Sequence, residues 1–209
     1  MRDYQLISLD LETSGSNPDK HTILSVGCVR LSDMTSFYSE VRHESFEMSP
    51  EATRIHKLDL STRDDKKLPT MSQLDNTLRD WLTQGKGTPK KNSIIPLGMN
   101  VGTFDMEFVR KYLPKSSSCF GYRSMDLNAV LFLDSMVQGR SFQETKDAAR
   151  VLGTSYAHAH VPELQPHNAL YDAFSNIGIL YFVAHDEWGK TGEVVWDGGG
   201  LDVVKQERA

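Results

Sequence analysis

The sequence predicts an α/β or α+β fold, a mixed sheet with helices packed on its faces, and three observations lead there. Three β-type runs follow one another near the N-terminus, joined by short turns. Helix-period segments then alternate with short apolar runs. The chain has 209 residues, 39% hydrophobic and 24% charged, which suits one domain with a sizeable core and excludes wholesale disorder.

The first run, Tyr4 to Glu12, is rich in long apolar residues and ends at Thr13-Ser14-Gly15, with turn residues Ser16-Asn17-Pro18-Asp19 beyond. Runs from Thr22 to Leu31 and from Ser36 to Val41 follow, and the short connections predict an antiparallel meander. Ser49-Pro50-Glu51 reads as a helix start with Pro at the first helical position. Met71, Leu74, Leu78, Trp81 and Leu82 recur at helical spacing, predicting a helix over 71–83. Ser93 to Leu97 is a short buried-type strand after a polar loop from Gly85 to Asn92. Phe104, Phe108, Val109 and Tyr112 predict a helix that Pro114 stops, with Thr103 as its cap. A short strand within 122–126, a helix over 127–137 and a capping-box helix from Ser141 to Leu152 come next. The last long helix is expected from near Pro166, with Leu170, Ala173, Phe174, Ile177, Tyr181 and Ala184 on its core face. Residues 1–185 are thus expected to form one domain, and 186–209 a polar, Gly-rich tail.

Composition narrows the function classes. No stretch approaches the roughly 20 apolar residues a membrane helix needs. The N-terminus lacks the apolar centre of an export signal, so a cytoplasmic protein with no membrane contact is expected. Cys28 and Cys119 show no CxxC pairing and read as reduced thiols. Net charge is −5, yet Gln84 to Ser124 holds seven Lys and Arg against Asp105 and Glu107. A locally basic segment in an acidic chain fits a phosphate-contact surface, and fits a solvated face equally well. Lys90, Lys91 and Arg110 are the candidate phosphate contacts there.

The chemistry starts at Asp10-Leu11-Glu12. On a strand, residues i and i+2 share a face, so both carboxylates project together while Leu9 and Leu11 point away. Like charges held that close resist ionising unless a cation compensates, and hard divalent ions such as Mg²⁺ or Mn²⁺ bind through oxygen. A bare D-x-E is often just the wet end of a strand. Asp105-Met106-Glu107 is a second copy, and on a helix its side chains diverge by about 200°. The apolar lead-in and tight exit distinguish the first copy. Asp105, after the loop containing Gly98, Asn100 and Gly102, falls in the first turn of a helix, where an acid also favours the helix dipole. His167 and Asp172 are separated by about 140° around a helix, so His167 belongs at or before the first turn, at the rim of a site. His158 and His160 compete as candidates, but nothing completes a zinc set around them.

Taken in order, D-x-E ending a first strand, N-x4-D opening a helix and H-x4-D opening the final helix resemble the DEDDh family of 3′–5′ exonucleases. This is the DnaQ-like branch of the ribonuclease H-like fold, and the resemblance runs from about Gln5 to about Val183. It implies a five-stranded mixed sheet, an antiparallel meander plus parallel strands, flanked by helices. It implies that Asp10, Glu12 and Asp172 hold one of two divalent cations (Mg²⁺ or Mn²⁺). Asp10 would bridge to the second, Asp105 would help through water, and His167 would be the general base. A single-stranded nucleic acid would be cut from its 3′ end to nucleoside 5′-monophosphates. Thr13, Asn100 and Phe104 join the basic residues as candidate substrate contacts, Phe104 by stacking or wedging against a terminal base or by simple core packing.

The pattern has departures. Thr13-Ser14-Gly15 stands where Thr-Thr-Gly is common, and one residue more separates Asn100 from Asp105 than in many proofreading-type members. That spacing, with Tyr122-Arg123 and Asp126-Leu127, is similar to the oligoribonuclease branch, whereas Thr13 stands where that branch usually carries Met. The alternatives are an oligoribonuclease-like enzyme on short RNA, a non-catalytic nucleic-acid-binding module on the same fold, and another two-metal phosphohydrolase. DNA and RNA both remain open as substrates. A homodimer and a polymerase or helicase partner also stay open.

Overall fold

In the computed structural model, the first strand, β1 (Gln5–Thr13), lies at the centre of a five-stranded sheet. The structure describes residues 4–55, 66–85 and 93–184, and the backbone of 193–196 and 201–204. β1 pairs antiparallel with β2 (Ile23–Arg30), which pairs antiparallel with β3 (Ser36–Glu40), so the expected meander forms. On its other side β1 runs parallel to β4 (Ile94–Gly98), and β4 to the two-residue β5 (Met125–Asp126). The order is β3-β2-β1-β4-β5.

Helices cover both faces, because side chains on β1 alternate. Ile7, Leu9 and Leu11 join Val26 and Cys28 in one core with Leu74, Leu78 and Leu82 of α2 (Met71–Thr83). Met106, Phe108 and Val109 of α3 (Asp105–Tyr112) complete that layer. On the other face α5 (Leu127–Gln138), α6 (Phe142–His160) and α7 (Ala169–Val183) contribute Leu131, Ala149, Ala173, Phe174 and Ile177 to a second core with Val29 and Leu97. Each fully buried Leu or Ile contributes about 1.5–3 kcal/mol relative to exposure. Two short helices, α1 (Pro50–Ile55) and α4 (Pro114–Ser117), and an antiparallel pair of strands, β6 (Glu193–Trp196) and β7 (Leu201–Val204), complete the described elements.

Several element ends differ from the sequence reading. Helix α7 begins at Ala169 rather than near Pro166, because the Asn168 side chain caps it, accepting from the N–H groups of Leu170 and Tyr171. Helix α6 runs eight residues past Leu152, its buried face being Thr145, Ala149, Gly153 and Ala157. Thr103 does not cap α3: the N-cap is Phe104, and the Thr103 hydroxyl donates to the Asn100 carbonyl. Pro114 ends α3 by opening α4. Of the expected loop from Gly85 to Asn92, residues 86–92, with Lys90 and Lys91, lie outside the described residues, as does most of the expected tail.

Helix α7 lies across β1 and β2. Two contacts set its position. The Ser8 hydroxyl donates to the Ala173 carbonyl at 2.6 Å, and Gly27 of β2 meets the first turn of α7 so closely that a Cβ there would overlap the Ala169 carbonyl and Leu170 N. Gly27→Ala is therefore expected to push the start of α7 off the sheet and lower unfolding free energy by about 1–3 kcal/mol in denaturant titrations. An unchanged midpoint would show that the helix yields freely.

Candidate active site

Beyond Ser8, β1 outruns β4: the parallel register ends at Ser8 and Leu97, while β1 continues to Thr13. The crevice at the carboxyl ends of β1 and β4, where the sheet changes from antiparallel to parallel pairing, is where open α/β sheets bind ligands. Asp10 and Glu12 share the face of β1 that looks toward α7. Asp10 sits opposite Gly27 in the β1–β2 register, and Gly27 is the floor on which the start of α7 rests. Asp172, in the first turn of α7, is thereby brought beside them. Carboxylate oxygens of Asp10, Glu12 and Asp172 all lie within 4.8 Å of one another.

Asp105 approaches from the other side, as the first residue of α3. Its Oδ1 accepts the Leu11 N–H at 3.0 Å, a donor that lies past the end of β4 and has no ladder partner there. The loop before it is held by Asp126, whose Oδ1 accepts from Asn100 N and from Asn128 N. Asn100 adopts φ +56°, a region that Asn tolerates better than most residues, and its Oδ1 accepts from the Asn128 amide. Asn100 thus holds the loop that delivers Asp105. Glu107, the partner in the second D-x-E, is exposed on the far side of α3.

Burial and mutual repulsion govern the charges. Burial first, then Asp105, Asp172 and Glu12, hold the Asp10 carboxyl well above the usual carboxylate range. Burial, with Asp172 and Asp105 adding, pushes Glu12 up to about 8. Burial raises Asp105 to about 7, partly offset by backbone N–H donors including Leu11. Asp172 is raised by burial to about 6, held back by the His167 N–H and imidazole. Among the described residues no Lys or Arg forms an ion pair with any of the four. Buried carboxylates without such a counter-charge suit hard divalent cations, so the donor set fits Mg²⁺ or Mn²⁺ chemistry.

His167 stands exposed in the loop between α6 and α7, with φ +69°, a backbone conformation costly for a residue with a Cβ. Its own N–H donates to Asp172 Oδ2 at 2.9 Å, and the next residue, Asn168, donates its side-chain amide to Tyr38 Oη. The competing histidines are elsewhere. His160 stacks between Tyr156 and Phe174, and His158 is exposed at the end of α6.

Next to Glu12 lies a cleft of about 340 Å³ lined by Leu11, Thr13, Ser16, Ser49, Glu51 and Phe104, among others. Phe104 packs on Phe108 and against the core, and it also lines this cleft. Thr13 lines it too, but its hydroxyl donates to the Gly15 carbonyl. Arg110 is exposed near the end of α3, and Lys90 and Lys91 lie outside the described residues. Sequence reasoning missed the roles of Gly27 and Asp126 and the wall formed by Ser49, Glu51 and Ala52. A glycine inside a strand as apolar as β2 was the available signal for the first.

Residues 7–180 match a family model named RNase_T and described as exonuclease, and the chain belongs to that exonuclease family. It is also similar to the Escherichia coli 3′–5′ DNA exonuclease Cap18, 24% identical over 170 residues, which cover 80% of this chain and 84% of Cap18. Among solved structures, E. coli exonuclease I bound to a dT13 oligonucleotide shares the fold, with TM-score 0.61 and 12% identity. The match covers 90% of this chain and 42% of that one. A zinc-bound exonuclease I–ssDNA complex matches with the same score and identity, over 89% of this chain and 41% of that one. The chain therefore spans about two-fifths of the exonuclease I chains it matches.

Stability should report the site directly. Raised carboxyl values mean that the metal-free fold binds more protons than the unfolded chain between about pH 4 and pH 8. The contribution of these groups is thus fully present below their unfolded values and is lost as pH rises through about 6, 7 and 8. In EDTA, the melting temperature of the wild type is expected to fall toward pH 8 relative to that of Asp10→Asn. Added Mn²⁺ should restore it most at pH 8. A Mn²⁺ effect equal at pH 5 and pH 8 would contradict the electrostatic picture.

Proposed function

We propose that the protein is a 3′–5′ exonuclease acting on single-stranded DNA by a two-metal mechanism, with Mg²⁺ or Mn²⁺ as cofactor. The observation that carries this reading is the meeting of Asp10, Glu12 and Asp172 within 4.8 Å; the charge of Asp105 adds to the rise of Asp10. DNA is preferred as the substrate because Cap18 is a DNA exonuclease and the exonuclease I structures hold oligonucleotides.

Asp10, Glu12 and Asp172 would hold one cation, and Asp10 with Asp105 would serve a second. Bound divalent cations neutralise charge on the entering and leaving oxygens of the phosphodiester. The remaining work belongs to the chain. His167 takes a proton from the attacking water at an imidazole nitrogen, from a rim position that leaves it free to approach once substrate is seated. Asp172 orients it indirectly, since its Oδ2 accepts the His167 N–H. Leu11 and Phe104, beside Glu12, shape the cleft for the terminal nucleotide and exclude water from one side of it.

Asp10→Ala and Asp172→Ala are each expected to lower turnover at least about 10³-fold, consistent with loss of a cation or an electrostatic anchor, while circular dichroism stays native. His167→Ala should lose most of the rate yet retain Mn²⁺ binding by calorimetry. The assay compares oligonucleotides with free and blocked 3′ ends in Mg²⁺ and in EDTA. Cleavage of the blocked substrate, or cleavage in EDTA, would refute the proposal.

A further inference from the structure

We infer that Tyr38 is a positioning residue for His167: its hydroxyl, through Asn168, holds the backbone from which the general base projects. This rests on the exonuclease reading of the site and adds to it a residue that acts only through His167. Its placement follows from the sheet register. Asp10, Gly27 and Tyr38 lie opposite one another on β1, β2 and β3, so they share the face toward α7. Gly27 has no side chain, and the start of α7 fills the space above it. The first turn of the helix is thereby flanked by Asp10 on one strand and Tyr38 on another.

His167 needs such support. Its φ of +69° is a conformation that a residue with a Cβ keeps only where its surroundings impose it. One restraint is its own N–H, which donates to Asp172 Oδ2 at 2.9 Å. The other acts on the next residue. Asn168 caps α7 with Oδ1, which accepts from Leu170 N and Tyr171 N, and its Nδ2 donates to Tyr38 Oη at 3.3 Å. Its backbone N–H goes to the Gln165 carbonyl, and its carbonyl accepts from Asp172 N. Of these partners only Tyr38 belongs to the sheet, so it is the one that ties the His167–Asn168 peptide to β3. The imidazole keeps its side-chain rotations.

The Tyr38 hydroxyl in turn donates to Glu40 Oε1 at 3.3 Å. Burial first, with Glu40 adding, pushes the phenol up to about 12, so it stays neutral and the tie persists across the neutral pH range. A plainer role for Tyr38 is to brace the start of α7. That role predicts weaker Mn²⁺ binding on substitution, through Asp172, and a loss of rate that does not depend on His167.

The test is a double-mutant cycle on the full chain, read as turnover of a single-stranded oligonucleotide with a free 3′ end in Mn²⁺. Tyr38→Phe removes one hydroxyl and is expected to lower kcat about fivefold, with KM and Mn²⁺ affinity unchanged. Asn168→Ser keeps a capping oxygen but is too short to reach Tyr38, and it should show the same loss. In the His167→Ala background, Tyr38→Phe should have no further effect, since groups that act as a unit are not additive. A loss that persists without His167, or wild-type kcat in Tyr38→Phe, would overturn the inference. Hydrogen exchange of the His167 amide, followed by NMR, reads the tie without turnover and should be about fivefold faster in Tyr38→Phe. An inactive wild type whose amide responds in this way would sink the exonuclease reading and leave the hold of Tyr38 on His167 standing. An amide that does not respond would sink that hold.

Discussion

Loss of hydration by clustered carboxylates, with like-charge repulsion added, is the constraint around which the molecule is organised. Asp10, Glu12 and Asp172 are drawn together in a setting that raises all three, with Asp105 alongside. Such a cluster opposes folding, since each charge loses hydration and gains like-charged neighbours. The two hydrophobic layers on either face of the sheet provide the offsetting stabilisation.

The elements that hold the acids are correspondingly rigid. β1 is central in the sheet and flanked on both sides by ladders up to Ser8. Helix α7 is fastened one residue from Asp172 by the Ser8–Ala173 bond and seated on Gly27. Asp105 is fixed through Leu11 N, a backbone atom between the two acids of β1. His167 lies in the exposed loop before α7 and is joined to the cluster through its own backbone N–H.

Much of this was legible in the chain, for reasons that particular residues make plain. The D-x-E at the end of β1 is visible because strand alternation is local. Helix α2 spans 71–83 as expected, its stripe of Leu74, Leu78 and Leu82 being large and apolar and its cap Thr70 adjacent. The full length of α6 was not visible, since its buried face is Thr, Ala, Gly and Ala, which carries little hydrophobic signal. Nor was the setting of Asp105, which depends on where β4 stops alongside β1, a register that no local pattern encodes. The cleft was hidden for the same reason: Glu12, Glu51 and Phe104 are far apart in the chain and meet only in the fold.

The most direct measurement is crystallographic. A crystal soaked in Mn²⁺ and recorded at the manganese edge should show an anomalous peak among the oxygens of Asp10, Glu12 and Asp172, with a second toward Asp105. A map with no peak there, at Mn²⁺ concentrations that saturate activity, would contradict the central claim that this cluster exists to bind divalent cations.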